Sequence, residues 1–434
     1  MNATQINKEI LRLAIPSILA NITIPLVGLV DTAVVGHIGN AVAIGGIAIG
    51  SMLFDLLYWN FGFLRVGTSG LTAQAYGRND QSTQVRLLHQ SVLTAVVAAL
   101  IIWLLQYLFL EVVMLLMPCS NDVAQIAKHY FYIRIWAAPA TLSLMALRGW
   151  FIGMQNTFAT MIIDLTVNVV NIVASVGFAF YTKAGVLGVA WGTLVAQYSG
   201  LLVAVMILAV KYKFVWKRLP TSTLIQDTKM LFRLNGNLFI RSLCFMVVYI
   251  GFTSLSSSYG DTELAIASII MKLFMLFSYF TDGFAYAAEA MTGRFIGLKN
   301  FDDLKKTISW LIVWTLFISI IWSLIHIFWA KDMIYLLTSD IELAASSMQY
   351  KLWIITMPLL GGLAFLWDGV FIGAADGISV RNAMIEAALA FIIAYLALFK
   401  AWGINALYLA YAMHLLARSL SLTIRYFNST WTKA

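Results

Sequence analysis

Apolar residues gather in long stretches along the chain, separated by short polar turns. Runs near 10–35, 43–68, 85–109, 124–148, 158–181, 186–211, 229–256, 263–290, 305–329, 344–371, 381–400 and 403–427 each have the roughly 17 to 25 residues that a helix needs to cross a bilayer. The pattern predicts an all-α integral membrane protein with twelve transmembrane helices.

Composition turns that pattern into a statement about solvent. Of 434 residues, 61% are hydrophobic and 11% charged, against about 25% charged in soluble domains. So much apolar surface cannot be hidden from water, and the bilayer is the expected partner. Proline and glycine recur inside apolar runs, which membrane helices tolerate because neighbouring helices and hydroxyl groups satisfy the freed backbone. Met1 to Ile10 is polar and enters an apolar run longer than a signal-peptide core, with no small-residue cleavage site, so the segment reads as uncleaved.

The net charge of +8 fits membrane topology better than nucleic-acid binding, because cytoplasmic loops collect Lys and Arg. With both termini inside, one set of loops and helix ends holds Lys8, Arg12, Arg65, Arg78, Arg86, Arg148, Lys211, Lys213, Lys217, Arg218, Lys229, Arg233, Arg294, Lys299, Lys305, Lys306, Arg381, Arg418, Arg425 and Lys433. The opposite set holds Lys128, Lys183, Lys331 and Lys400. That asymmetry predicts that both termini are cytoplasmic, and the expected location is the cytoplasmic (cell inner) membrane.

Segments of the first half return about 220 residues later. Leu11-Arg12-Leu13 is answered by Phe232-Arg233-Leu234, Gly39-Asn40 by Gly260-Asp261, Gly149 to Gly153 by Gly369 to Gly373, and Pro139 by Pro358. The spacing implies two pseudo-symmetric six-helix lobes sharing one orientation. They are expected at 1–212 and 229–434, joined by a basic cytoplasmic loop at 213–228, with a cleft between lobes as the natural substrate path.

Ionisable residues inside spans are costly and so mark function by default. Asp31 lies in the outer half of the first span, and its counterpart near Phe252 carries no charge. An acid required only for the lobe fold would recur. Asn168, Asn171 and Ser175 are three and four residues apart, on one face of the fifth span, and Thr193 and Gln197 are four apart on the sixth. With Asp31 at similar depth, they make a candidate pocket for ion coupling and substrate; the plainer alternative is polar glue between helices.

In the second half, Arg241, Asp282, Glu289 and Asp368 are expected to form a charged network near the cytoplasmic side, read as an internal ion-pair network that locks the inner gate, with a second protonation site as the alternative. Arg134, Asp164, Lys272, Lys351 and Glu386 also fall within or near spans and are explained in part by side chains snorkelling from helix ends. No role is assigned to them. The five histidines lack metal-ligand spacing, Cys119 and Cys244 have no close partner, and no phosphate-binding Gly-x-x-x-x-Gly-Lys-Ser/Thr loop is present. No metal or cofactor is expected, and energy must come from an ion gradient.

Val30 to His37, Gly70 to Gly77, Asp282 to Ala290 and Asp368 to Gly373 together resemble the DinF branch of the MATE (multidrug and toxic compound extrusion) family along essentially the whole chain. The resemblance implies a proton- or sodium-driven antiporter that expels organic, often cationic, compounds by alternating access. It also implies that Asp31 is the coupling acid and that Pro16 lets the first span bend, with Pro25 a further helix-bending position. Ser175 stands where the family usually has a second acid, and Gln197 where relatives can carry Glu. A single acid suits protons, with sodium the alternative.

A flippase for lipid-linked sugars shares this architecture but calls for a strongly cationic cleft. An intramembrane enzyme would need a nucleophile beside a base, and the sequence offers no such pair; a channel would more naturally be an oligomer around a pore. The expected partners are therefore the bilayer and small organic cations, with no nucleic acid, and the protein is expected to act as a monomer.

Overall fold

The computed structural model describes residues 1–116, 119–182, 184–217, 228–338, 340–429 and 431. Lys183, Arg218 and Lys433, used above to orient the chain, lie outside the described residues, as do 218–227 of the expected linker. The first half holds α1 (Ala3–Ile22), α2 (Ile24–Ile38), α3 (Ala41–Trp59), α4 (Phe63–Gly77), α5 (Gln81–Leu116), α6 (Asn121–Arg134), α7 (Ala138–Gly153), α8 (Thr157–Tyr181), α9 (Gly188–Lys211) and the short α10 (Phe214–Lys217). The second holds α11 (Thr228–Ser257), α12 (Asp261–Leu298), α13 (Phe301–Leu337), α14 (Ile341–Ser347), α15 (Lys351–Gly373), α16 (Gly377–Trp402) and α17 (Ile404–Asn428).

Some of these helices join end to end, and among the described residues twelve continuous segments are long and apolar enough to span a membrane. Each sequence-predicted span has its helix, but several helices overshoot it. The segment Asp261–Leu298 has 38 residues, roughly 57 Å at 1.5 Å per residue, well beyond a hydrocarbon core of about 30 Å. Large apolar side chains face outward along these helices, among them Leu104, Leu115 and Leu336, each at least 80% exposed. Lipid is the solvent that such a surface fits.

Helix starts are set by short polar side chains that accept an otherwise orphaned backbone N–H. Asn40 receives the Ala43 amide, Asn156 that of Ala159, Asn300 that of Asp303, and Asp376 that of Ser379. The first span is broken at Thr23, just before Pro25 begins α2. Pro16 stays inside α1, so the interruption in this conformation belongs to Thr23 and Pro25 rather than to Pro16.

The chain falls into two compact units. One comprises Met1–Ile18, Tyr76–Arg78 and Phe232–Ala434; the other comprises Leu19–Ala75 and Asn79–Leu231. The units follow the chain halves with three exceptions: the start of α1 and the end of α4 group with the second half, and the first residues of α11 with the first. Within the unit from the first half, Phe54, Tyr130 and Phe131 pack the core. In the other, Phe252, Phe274, Tyr408 and Tyr411 do so.

The internal repeat is visible as matching contacts. In the first half, a Cβ on Gly149 would stand 2.1 Å from the Arg65 carbonyl, and one on Gly153 would meet Ser69, Thr72 and Ala73. In the second, Gly369 meets the Ala285 carbonyl at 2.2 Å, and Gly373 meets Glu289, Thr292 and Gly293. The same small-residue face therefore lets α7 approach α4 and α15 approach α12, the close backbone packing that glycines permit between membrane helices. The turns beyond repeat too: Asn156 N–H donates to Phe151 O and Asp376 N–H to Phe371 O, each at 2.9 Å. The proline pair diverges, since Pro139 starts α7 whereas Pro358 lies inside α15.

Candidate ion and substrate site

In the unit from the first half, α8 packs against α2 on one side and α9 on the other. Because Asn168, Asn171 and Ser175 share one face of α8, they meet side chains from both neighbours. Asn168 Nδ2 donates to the Thr23 hydroxyl, fixing α8 to the break in the first span. Asn171 Nδ2 donates to Thr193 Oγ1 at 2.9 Å, and Thr193 in turn donates to the Val189 carbonyl at 3.1 Å. Ser175 is fully buried, with its hydroxyl beside the Asp31 carboxyl.

Those bonds use up donors and leave acceptors. Asp31 Oδ1, Asn171 Oδ1, Ser175 Oγ and Gln197 Oε1 are buried without a completed hydrogen bond. An unsatisfied buried polar atom costs about 1–3 kcal/mol, so a pocket with several oxygens of this kind favours a proton, a donor group or a cation.

Arg134, which has no role assigned from its place in the sequence, is central to this unit. Its guanidinium ends α6, lies 4.6 Å from the Phe54 ring centre and donates to Tyr130 Oη at 2.9 Å. It is within electrostatic reach of Asp31, of Asp55 on α3 and of Tyr58. Asp55 follows Phe54 directly, so the ring beneath Arg134 and the nearby acid come from adjacent positions of α3. A basic residue inside the apolar run 124–148 was the available signal, and helix-end snorkelling explained it too easily.

The second unit assembles part of its expected network. Arg241 Nη2 and Arg418 Nη2 both donate to Asp368 Oδ2, and Arg418 Nε donates to Oδ1 at 3.3 Å. Asp368 and Arg418 keep 7% and 2% of their side-chain surface exposed. Arg418, counted above only as an inward-facing charge, is thus a main partner of Asp368. Glu289 is buried on α12, where its carbonyl adjoins Gly373, and Asp282 lies near Tyr279. Two further acids have basic partners: Asp164 pairs with Arg148 at 2.6 Å and Glu386 with Arg425 at 2.5 Å.

Comparison with known proteins bears on what such an arrangement serves. The MatE family model matches residues 16–176 and again 238–398, once in each half. The DNA damage-inducible protein F of Escherichia coli (strain K12) is 32% identical over 438 residues, covering 99% of this chain and 95% of the relative. Multidrug and toxin extrusion protein 1 of Oryctolagus cuniculus is 24% identical over 374 residues, covering 85% of this chain and 65% of that protein. A crystal structure of MATE in complex with MaL6 superposes with a TM-score of 0.89 at 18% identity, covering 99% of this chain and 98% of that one, a likeness of fold. Twelve apolar helices, a twofold match to one family model and a full-length relative at this identity establish that the chain belongs to the MatE family of membrane transporters.

Proposed function

We propose that the protein is a proton-coupled antiporter that exports organic, mostly cationic, compounds by alternating access from the cytoplasmic membrane, with both termini inside. The observation that carries this reading is the Asp31 carboxyl, set beside the buried Ser175 hydroxyl of α8, with Asn171 one turn before Ser175 bonded to Thr193 of α9. Ionised, Asp31 attracts a cation. Protonated, it loses that attraction, so proton and substrate compete for one carboxyl and an inward proton gradient can expel the substrate.

Neutral Ser175 leaves a sodium ion fewer charged ligands than a two-acid site would give, whereas a proton needs one acid. The basic loops support the orientation. The arginines Arg241, Arg418 and Arg134 have acidic neighbours, Asp368 for the first two and Asp55 for the third, which weighs against a site built for pyrophosphate. Purified protein in liposomes, given a pH gradient with sodium omitted, is expected to move an organic cation. Transport that appears only when sodium is restored would refute proton coupling.

A further inference from the structure

We propose that Arg134 is a specificity-determining residue, a tethered cation that limits the first-half pocket to one added positive charge and thereby excludes sodium and doubly charged substrates. The proposal rests on the antiport reading at Asp31 and concerns what that site accepts. A guanidinium is planar, always charged and suited to stacking; here the Phe54 face and the Tyr130 hydroxyl hold it in place. Tyr130 itself lies at the core and contacts Phe54 edge-on, so the support under Arg134 is rigid packing rather than a flexible loop.

The charges around it decide what can enter. Arg134 is in electrostatic reach of both Asp31 and Asp55, so with both acids ionised the group holds two negative charges and one positive. Ionised, the group carries a net charge of −1. One proton on Asp31 brings it to zero, and one monovalent organic cation does the same. A sodium ion differs from a proton because it stays charged when bound and must recover its hydration energy from the surrounding field. A fixed guanidinium halves the net negative charge available for that. A large organic cation is weakly hydrated, loses less on entry and gains contact with aromatic faces. The hydroxyls of Tyr58 and Tyr130 also lie near Arg134 and add no full charge.

The test uses the full chain in liposomes with tetraphenylphosphonium as the monovalent cation, a pH gradient imposed, and sodium present or omitted. The wild type is expected to be indifferent to sodium. Arg134→Gln leaves two acids uncompensated, and its transport is expected to become sensitive to sodium by about tenfold or more, the scale of one unit charge at an effective dielectric constant near 20. Adding Asp55→Asn restores the net charge and is expected to restore indifference, an effect a merely structural role for Arg134 would not produce. An active Arg134→Gln indifferent to sodium, or a double variant as sensitive as the single one, overturns the proposal. If Arg134→Gln is inactive, recovery of sodium-indifferent transport in the double variant supports it, and an inactive double variant overturns it. A wild type that runs only on sodium instead refutes the antiport reading.

Discussion

Arg418 grips Asp368 through two nitrogens, Nη2 on one carboxylate oxygen and Nε on the other. Arg241 reaches the same acid from α11 but keeps 22% of its side-chain surface exposed, against 2% for Arg418. Removing one partner of a buried ion pair costs about 3–5 kcal/mol. Arg418→Ala is therefore expected to lower thermal stability in detergent by that order, with a smaller loss for Arg241→Ala. Arg418→Ala combined with Asp368→Ala is expected to recover part of the loss, since no buried carboxylate is then left behind. Heating curves followed by size exclusion check this, and equal losses for the two single variants would contradict the ranking.

Asp31→Asn keeps the size and hydrogen bonding of the side chain but removes its exchangeable charge. Gradient-driven export is expected to fall to background while the protein elutes as a folded species. Normal transport by this variant would remove Asp31 from the coupling role.

Ser175→Asp would place a second carboxyl beside Asp31. Space is tight, because Gly192 packs against Ser175 so closely that a Cβ there would lie 2.3 Å from Oγ. The variant is expected to lose about 1–3 kcal/mol from overpacking and to acquire sensitivity to sodium. Transport with and without sodium, beside a melting curve, separates the two effects; unchanged ion dependence would argue against charge count as the basis of ion choice.

Gly149→Ala and Gly369→Ala each push a Cβ into a carbonyl of the neighbouring helix. Both are expected to destabilise, by about 1–3 kcal/mol, and by similar amounts. Gly236→Ala, where a Cβ meets nothing within 4 Å, is expected to be neutral or to gain up to about 1 kcal/mol by restricting the unfolded chain. Thermal midpoints of the three variants test the comparison.

The spans, the duplication and the polar face of α8 were legible because each is written in spacing along the chain: length of apolar run, a 220-residue offset, and steps of three and four. Arg134, Asp55 and Arg418 were missed or misplaced for a shared reason. Their importance comes from partners distant in sequence, such as Asp368 for Arg418, and no periodicity within one helix reports the depth of a charged side chain. Of the two prolines marked as bending positions, the break at Thr23 goes with Pro25 in the first turn of α2, while Pro16 stays inside α1.

Asn79 and Lys299 adopt left-handed φ angles of 56° each, and Gln155 and Ala375 do so at 59° and 57°. None of the four is glycine, and within each pair the side chains are unrelated. The conformation at these corners has thus outlasted the identity of the residues that adopt it, as expected if both halves descend from one ancestral segment whose backbone path was preserved while its chemistry drifted. Asp31 has no acidic counterpart near Phe252, and Arg418 has Tyr198 at the matching offset. Duplication left two frames of one shape, and their divergence gave one the oxygen-rich pocket and the other the arginine-clamped acid.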